Sequence, residues 1–291
     1  MAITASVSFL SPSPSRLFCL QNHNPLSQPL FSLPFHSHAF LTFASPQKRL
    51  KPTAIPKNIT PSAQASNDSA PMLPPYNVLI TGSTKGIGFA LAREFLKAGD
   101  NVIISSRSGS NAYSYKPLAE ASDEDLIEVV TTNTLGLMIC CREAIKMMLN
   151  QPQGGHIFNI DGAGSDGRPT PRFAAYGATK RSVVHLTKSL QAELQMQDVK
   201  NVVVHNLSPG MVTTDLLMSG ATTKQAKFFI NVLAEPAEVV AEYLVPNIRS
   251  IPVNGSTKPT YIRFLTGLKA YSQIFSRFAF GARRNRYLLE D

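Results

Sequence analysis

The hydrophobic pattern of the chain begins at Tyr76, where a short apolar run leads into a glycine-rich turn. Asn77-Val78-Leu79-Ile80 is typical of a strand that is buried on both faces. The apolar residues of 89–99 then recur with helical period, and Gly99 is a suitable C-terminal stop. Residues 102–105 predict a second strand. A strand, a glycine turn, a helix and a further strand form the βαβ unit of a parallel sheet.

The turn in this unit carries the first candidate binding residues. Gly82 permits the tight turn, Gly86 lets the backbone approach a phosphate, and Gly88 lets helix and strand pack closely. Backbone N–H groups at such a helix start bind the pyrophosphate of a dinucleotide. The predicted cofactor-binding residues here are Thr81, Gly82, Ser83, Thr84, Lys85, Gly86, Ile87 and Gly88.

The charge that follows the second strand predicts which dinucleotide is used. NAD sites place a carboxylate near the adenosine ribose, whereas NADP sites place a cation there. Arg107 is such a cation, and no acidic residue occurs between Asp100 and Glu120. The sequence therefore favours NADPH, with NADH possible, and adds Arg107 to the cofactor site. The alternative for Arg107 is a solvated loop position.

A second cluster of candidate residues lies about ninety residues further along the chain. A strand over 156–160 enters a loop of small residues, and a helix opens at Tyr176. Tyr176 and Lys180 are four residues apart and share one helix face. An ammonium beside a phenol is expected to lower the phenol pKa from about 10, so that Tyr176 can act as a general acid when hydride reaches a carbonyl carbon. Tyr-x-x-x-Lys alone is mostly structural, but after a dinucleotide turn it indicates carbonyl reduction.

A third strand, over 202–207, ends in a loop that could close over the nicotinamide. This loop runs from Ser208 to Thr214. Its predicted cofactor-binding residues are Pro209, Gly210, Val212 and Thr214.

In combination, these motifs resemble the short-chain dehydrogenase/reductase family over roughly residues 77–245. Further matching positions are Asn133 in Thr132-Asn133-Thr134-Leu135-Gly136 and the segment Ser208-Pro209-Gly210. Within the family the chain resembles the plastid chlorophyll b reductases of the non-yellow-colouring-like type. That resemblance rests on the Asn159–Ser165 loop, the Ala226–Pro246 stretch and the composition of the N-terminal segment.

The resemblance implies a reaction and a set of roles. NAD(P)H would reduce the C7 formyl group of chlorophyll b to hydroxymethyl. Tyr176 would donate the proton, Lys180 would bind the ribose and tune Tyr176, and Asn133 would hold a water in the proton relay. The family usually has a serine about thirteen residues before the tyrosine to hold the substrate carbonyl. Here Gly162-Ala163-Gly164 lies in that neighbourhood, and Ser165 is the nearest hydroxyl, so the role is assigned to Ser165.

The chain also departs from the family by a gap. The family continues from its second strand through helix, strand and helix to a fourth strand that ends Asn-Asn-Ala-Gly. This chain passes directly from Ser108 to Gly109, so roughly fifty to sixty residues are absent. The expected fold is α/β, a Rossmann-like doubly wound parallel sheet reduced by the loss of this strand–helix module. The vacancy lies beside the first strand, unless the Ile157 strand moves there.

The N-terminal segment, residues 1–67, resembles a plastid transit peptide. It holds 11 Ser, nine Pro and five basic residues without any acid, and only Arg16 precedes residue 48 among the basic residues. An ordinary disordered tail is the alternative. We expect this segment to take no part in the fold.

The C-terminal segment, residues 258–291, predicts a basic amphipathic helix. From residue 243 onward, eight basic residues face only Glu290 and Asp291. Tyr261, Phe264, Leu265, Leu268, Tyr271, Phe275 and Phe278 are predicted to share one helical face. Such a helix can lie on an anionic membrane surface, dock on a partner such as a membrane-bound related reductase, or pack on its own domain. The reductase domain is therefore placed at 76–250.

Composition narrows the function classes. Hydrophobic residues make up 43% of the chain, which excludes a wholly disordered protein, and no stretch of 18 apolar residues predicts a spanning helix. Cys19, Cys140 and Cys141 have no metal-ligand spacing, and no metal is predicted. The net charge of +9 arises at the two ends, which disfavours nucleic-acid binding.

Three hypotheses remain. The first is a plastid reductase of a pigment aldehyde, peripheral to the stromal side of the thylakoid membrane. The second is a reductase for another lipophilic carbonyl. The third is a non-catalytic chain that binds only membrane or a partner reductase.

Overall fold

The computed structural model of the chain describes residues 6–10, 71–106 and 115–290. The strands are β1 (Ser6–Leu10), β2 (Asn77–Thr81), β3 (Asn101–Ser105), β4 (Gly155–Ile160), β5 (Val202–Ser208) and β6 (Tyr261–Arg263). The α-helices are α1 (Gly86–Lys97), α2 (Asp123–Val130), α3 (Gly136–Leu149), α4 (Ala174–Met196), α5 (Asp215–Ser219), α6 (Lys224–Leu233), α7 (Ala237–Val253) and α8 (Gly267–Phe280). A 3₁₀ turn spans Leu118–Glu120, and a π-helical turn, Thr131–Leu135, joins α2 to α3.

The strands form one sheet in the order β3-β2-β1-β4-β5-β6. β2 pairs with β3, β4 with β5, and β5 with β6, all in parallel. β1 pairs antiparallel with both β2 and β4. The predicted α/β class with a largely parallel sheet is confirmed, with one antiparallel strand near its middle.

That antiparallel strand fills the predicted vacancy. Val7 is in register with Ile80 of β2 on one side and with Phe158 of β4 on the other. Residues 1–67 therefore contribute to the fold through Ser6–Leu10, contrary to expectation. The alternative in which the Ile157 strand moves beside the first strand is not adopted. The physical reason is that unpaired backbone groups of an inner strand cost about 1–3 kcal/mol each, so a paired strand is favoured in the gap.

The core lies on both faces of the sheet, because neighbouring residues of a strand point to opposite sides. On one face, Phe158 and Ile160 of β4 pack with residues of α1 and α7. On the other face, Ile157 packs with residues of α3 and α4. All six residues of β4 are buried, as a doubly covered strand requires.

The C-terminal segment differs from its prediction. The helix α8 begins at Gly267, so Tyr261, Phe264 and Leu265 do not lie on it. Tyr261–Arg263 is instead an edge strand of the sheet, and Phe264 is part of the core. The reductase domain therefore does not end at residue 250. In the described part of the chain, no helix is long and apolar enough to cross a membrane.

Candidate active site

The glycine turn joins β2 to α1 in a left-handed backbone conformation. Gly82 has φ 65° and Gly86 has φ 55°, values that favour glycine. A side chain at position 88 would collide with the Gly82 carbonyl oxygen, so Gly88 permits the close packing of turn and helix. The tight turn predicted at Gly82 and the close packing predicted at Gly88 agree with this geometry, and the phosphate approach at Gly86 stays a prediction.

Ser83 fixes the turn to the end of β3. Its hydroxyl donates to the Ile80 carbonyl oxygen (2.7 Å) and accepts from the Ser105 backbone N–H (2.9 Å). The Ser83 backbone N–H donates to the Ser105 carbonyl oxygen (3.2 Å). Ser83 is fully buried. Its side chain therefore holds the predicted binding turn in place.

The start of α1 opens into a cleft with a volume of about 230 Å³. Lys85 stands at the N-cap, and among the described side chains none caps this helix start. The first N–H groups of α1 are thus available to an anion, which the helix dipole also favours. Thr213 and Thr214, from the loop after β5, line the other side of the cleft. The structure thus brings together two predicted cofactor segments that are more than 120 residues apart.

The other predicted residues of the loop after β5 support that wall. Gly210 has φ 73°, and a Cβ there would lie 2.6 Å from Leu265 Cβ. Val212 is buried in the core and pairs in parallel with Glu235, while Pro209 is buried as well. Thr214 stands at the N-cap of α5. Of these four residues, Thr214 is the one that lines the cleft.

Tyr176 and Lys180 lie in the first two turns of α4. Lys180 is only 2% exposed, and its Nζ donates to the Ile160 carbonyl oxygen at 3.3 Å. The same nitrogen lies 5.6 Å from the centroid of the Tyr176 ring. The predicted juxtaposition on one helix face is therefore present.

The electrostatics of this pair differ from the prediction. Burial, followed by the negative charge of Asp161, raises the pKa of Tyr176 above its ordinary value of 10.0. Burial lowers the pKa of Lys180 from 10.5 to about 8, although Asp161 acts in the opposite direction. The expectation that Lys180 lowers the Tyr176 pKa is thus wrong for this structure, because desolvation and Asp161 both disfavour the phenolate. Tyr176 is a neutral phenol that holds its proton.

Asp161 is a functional candidate that sequence reasoning missed. It lies directly after β4, is buried, and accepts hydrogen bonds from the Tyr261 hydroxyl and from the Ser165 hydroxyl (3.0 Å). Burial raises the pKa of Asp161, while Tyr261, Ser208 and Ser165 oppose that shift through hydrogen bonds. The sequence signal that could have indicated Asp161 was an acidic residue directly after a fully buried strand. Its partner Tyr261 is 100 residues away, and the sequence contained no signal for that contact.

The position beside the Tyr176 hydroxyl is taken by Gly162. A Cβ at that position would lie 2.5 Å from Tyr176 Oη. The hydroxyl of Ser165, which was predicted to hold the substrate carbonyl, donates its hydrogen bond to Asp161 Oδ2. The Ser165 backbone oxygen accepts a hydrogen bond from Arg181 Nη1 at 2.8 Å. A hydroxyl that donates to Asp161 cannot give the same proton to a substrate carbonyl.

Asn133 lies behind Tyr176, in the π-helical turn. It is fully buried, and its Nδ2 donates to Thr179 Oγ1 at 3.2 Å. The Thr179 hydroxyl in turn donates to the Tyr176 carbonyl oxygen at 2.7 Å. The predicted site residues Asn133, Tyr176 and Lys180 are therefore brought together, whereas Arg107 falls outside the described residues.

Aromatic side chains flank Tyr176 on its outer side. The Phe173 ring lies 6.1 Å from the Tyr176 ring and 4.4 Å from the Tyr115 ring, between centroids. A Cβ at Gly220, just after α5, would lie 3.3 Å from Phe173 Cζ. The loop before α4 thus meets the segment after β5, and an apolar wall borders the tyrosine.

Comparison with known proteins decides the family. Residues 111–225 match the short chain dehydrogenase family. "Chlorophyll(ide) b reductase NOL, chloroplastic" of Arabidopsis thaliana is 68% identical over 292 residues, covering 82% of this chain and 84% of that protein. The protein of the same name from Oryza sativa subsp. japonica is 70% identical over 276 residues, covering 76% and 80%. The chain belongs to the short-chain dehydrogenase family. It shares the oxidoreductase class of that family.

Comparison with a solved structure confirms the fold. The 3-ketoacyl-(acyl-carrier-protein) reductase from Brucella melitensis, complexed with NADH, aligns with a TM-score of 0.53 at 21% identity. The alignment covers 66% of this chain and 97% of that chain. At this identity, the likeness establishes the Rossmann-like architecture of short-chain dehydrogenases alone.

The length of the Arabidopsis alignment also bears on the expected gap. It runs over 292 positions but includes only 82% of the 291 residues of this chain, which is about 239. About 53 aligned positions of the Arabidopsis protein therefore have no counterpart in this chain. This number falls within the range that the family's usual strand and helix lengths predicted.

Proposed function

We propose that this chain is an NADPH-dependent reductase that converts the C7 formyl group of chlorophyll b to hydroxymethyl. The observation that carries the proposal is the identity of 68% and 70% to two chloroplast proteins that are named chlorophyll(ide) b reductase. The partly buried Tyr176, the buried Lys180 and the glycine turn at the start of α1 are the parts that carbonyl reduction requires.

The residues of the cleft fit a dinucleotide. The uncapped start of α1 offers N–H groups, Gly86 leaves room above them, and Thr214 borders the opposite wall. Lys180 donates one hydrogen bond to Ile160 and has further N–H donors for a ribose hydroxyl. Bound NADPH supplies a hydride to the substrate carbonyl carbon. Arg107 is our candidate for its 2′-phosphate, on the charge argument alone.

Tyr176 is proposed as the general acid. Burial and Asp161 keep its phenol protonated at the pH where the reaction runs, so the proton is present on Oη when the carbonyl oxygen gains negative charge. Lys180 places a positive charge near that oxygen while it is protonated. Asn133 is proposed to hold a water in the relay that returns a proton to Tyr176.

The aromatic wall suits a large flat substrate. Gly162 has no side chain, so Tyr176 Oη can lie close to the backbone at that position. Tyr115 and Phe173 present ring faces and edges beside the tyrosine, where a conjugated macrocycle can stack. We assign Ser165 to the support of Asp161 rather than to the carbonyl.

The setting proposed for this reaction is the stromal side of the thylakoid membrane. The composition of residues 1–67 supports a plastid transit peptide, and both relatives are named chloroplastic. On α8, Leu268, Tyr271 and Phe275 are 83%, 73% and 67% exposed. An exposed apolar helix face beside basic residues favours peripheral attachment to an anionic membrane or to a membrane-bound related reductase.

We further propose that the missing positions form one strand–helix module between Ser108 and Gly109. The slot between β2 and β4 is filled by a strand from elsewhere in the chain. This filling supports the loss of a strand that would otherwise lie between β2 and β4.

Pigment chromatography tests the activity. Purified chain is incubated with chlorophyll b and NADPH, and the hydroxymethyl product is separated from the substrate. We expect product to form with NADPH and to be absent for Tyr176→Phe. Reduction of another lipophilic aldehyde, with chlorophyll b left unchanged, would support the alternative substrate.

A further inference from the structure

The antiparallel strand in the middle of the sheet is made from a segment whose composition marks it as a leader. β1 is Ser6–Leu10, and 66 residues separate it from β2, its neighbour in the sheet. Four of its residues are in register with β2 and three with β4. Ser8, for example, is paired with Leu79 on one side and with Ile157 on the other. β1 is thus hydrogen-bonded on both sides, like an inner strand.

The antiparallel direction of β1 indicates that it takes the place of a parallel strand. β2 and β4 are both antiparallel to β1 and therefore parallel to each other. Every other pairing in this sheet is parallel. A backbone ladder accepts an added strand in either direction, because the hydrogen bonds come from main-chain groups. The gap between β2 and β4 therefore has the properties of a site that accepts an extended peptide.

The occupant of this gap sets the width of the active site. Neighbouring strands lie about 4.8 Å apart, so one intervening strand holds β2 and β4 roughly 10 Å apart. β2 ends at Thr81, where the glycine turn begins, and β4 ends at Ile160, next to Asp161. Loss of β1 would leave backbone groups of β2 and β4 without hydrogen-bond partners, or would let β2 and β4 move together by one strand spacing. Either change displaces the cofactor turn relative to Tyr176.

We propose that the gap between β2 and β4 is a strand-binding site, and that Ser6–Leu10 of this chain is its occupant. Until the leader is removed as the transit peptide proposed above, it is then a structural part of the reductase domain. Its removal empties the site, and an extended peptide of the same sequence can refill it. This inference does not depend on the substrate or on the activity proposed above.

A disulfide between paired positions tests the placement. Residues opposite each other in an antiparallel pair have Cα atoms about 4.5–5.5 Å apart, which suits a disulfide. In the full chain, Ser8→Cys with Leu79→Cys should form an intramolecular disulfide under mild oxidation, identified by peptide mapping. Ser8→Cys with Val203→Cys, on a strand that β1 does not touch, should not. Absence of the first disulfide, or its formation between two chains, would overturn the proposal.

Proline substitution tests the energetic role of the strand. Val7→Pro with Phe9→Pro removes two backbone donors from an inner strand. We expect the Tm of the full chain to fall by at least about 5 °C and the amides of β2 and β4 to exchange at least about tenfold faster. The matched control, Ser27→Pro with Ser32→Pro, lies in the same leader outside β1 and should behave as the unaltered chain. Equal behaviour of the two proline pairs would refute the structural role.

Rescue by a peptide tests the site itself. A synthetic peptide of residues 3–14, added to the Val7→Pro/Phe9→Pro chain, should restore slow exchange in β2 and β4. The same peptide with proline at positions 7 and 9 serves as the control. If the unaltered peptide restores no more protection than the proline peptide, the gap is not a site that binds a strand in trans.

Discussion

At Tyr176, burial and the Asp161 carboxylate act in the same direction, since both disfavour the phenolate. A phenol that keeps its proton can give it to a carbonyl oxygen, provided that a cation stabilises the charge left behind. Lys180, one helical turn away, provides that cation while it is protonated, and its pKa is lowered to about 8. The acid and its supporting cation are therefore both protonated below about pH 8, and Lys180 is the first of the two to lose its proton as the pH rises.

The first residue-scale prediction concerns this pair. Tyr176→Phe should lower turnover at least about a hundredfold, the scale of a general-acid contribution, with little change in NADPH affinity because the ring remains. In the unaltered chain, turnover should decline as the pH rises through about 8, because Lys180 then loses its proton. The pH profile of kcat checks both statements. Near-normal turnover by the Phe variant would remove Tyr176 from the mechanism.

The second residue-scale prediction separates Gly162 from Ser165. Gly162→Ala places a methyl group at 2.5 Å from Tyr176 Oη, so the hydroxyl must shift and turnover should fall at least about tenfold. Ser165→Ala removes a hydrogen bond to Asp161 and should change turnover by no more than a few fold. Binding of NADPH, followed by fluorescence, is the control for correct folding of both variants. A larger loss for Ser165→Ala than for Gly162→Ala would restore Ser165 as the carbonyl-holding residue.

At the scale of elements, β4 and β5 share a buried histidine pair. The Thr260 backbone N–H donates to His205 Nδ1 (3.0 Å), which places the His205 proton on Nε2 and directs it to His156 Nδ1 at 3.0 Å. Burial lowers the pKa of His156 to about 4, and burial together with His156 lowers that of His205 to about 3. Both rings are therefore neutral in the folded chain.

This pair predicts loss of stability in acid. Below about pH 6.5 the unfolded chain binds protons that the folded chain does not, so stability falls as the pH drops from about 6.5 toward 4. Asp161, whose pKa is raised, contributes with the opposite sign. We expect the Tm to fall by about 5 °C or more between pH 7 and pH 5. His156→Gln, which can accept from His205 without titrating, should reduce this pH dependence; an unchanged profile would show that the pair is not its source.

The helix α8 supports a prediction about membranes. Its apolar face is exposed, but Arg277 pairs with Glu290, and Arg283 and Arg286 pair with Glu235, so part of the predicted basic charge is neutralised within the protein. Apolar contact should therefore matter more than charge. Leu268→Gln with Tyr271→Gln and Phe275→Gln should abolish most co-sedimentation with anionic, thylakoid-like vesicles.

Matched controls keep this test specific. Leu73→Gln and Met196→Gln alter side chains that are 73% and 87% exposed elsewhere and should leave sedimentation unchanged. Truncation at Lys258 is unsuitable, because it would also remove the strand β6. If the α8 variant sediments as well as the controls, contact with the membrane lies elsewhere.

The elements that sequence reasoning predicted are those whose signal is local. The glycine turn lies within eight residues, and Tyr176 and Lys180 are separated by a single helical turn, so spacing alone predicts their geometry. The pairing of Ser6–Leu10 with β2 spans more than sixty residues, and the strand alternates polar and apolar residues over only a few positions. The start of α8 was misplaced because Tyr261 and Phe264 continue its apolar period while belonging to the sheet and the core.

At the scale of the whole molecule, β1 occupies the position in the sheet that the family resemblance predicted to be vacant. Pairing of β1 with β2 and β4 does not by itself restore the cofactor-binding site. The resemblance to the family implies that the missing fourth strand is parallel and ends at the site edge with Asn-Asn-Ala-Gly. β1 runs the other way, so its first residue, Ser6, lies opposite Asn159 near that edge. A substitute strand can repair the backbone hydrogen bonds, but it cannot deliver the loop that follows a parallel strand.

We therefore expect the main deficit of this chain to be in cofactor binding rather than in cohesion of the sheet. A version that carries the strand–helix module between Ser108 and Gly109 should bind NADPH at least tenfold more tightly, which corresponds to about 1.4 kcal/mol. It should also reduce chlorophyll b faster. Because β1 already pairs with β2 and β4, the difference in Tm between the two chains should be small. It should be smaller than the difference expected if the backbone groups of β2 and β4 were left without hydrogen bonds. Calorimetric titration with NADPH, thermal unfolding and pigment turnover on both chains decide the matter. Equal Kd values would show that the antiparallel strand replaces the missing one in function as well as in hydrogen bonding.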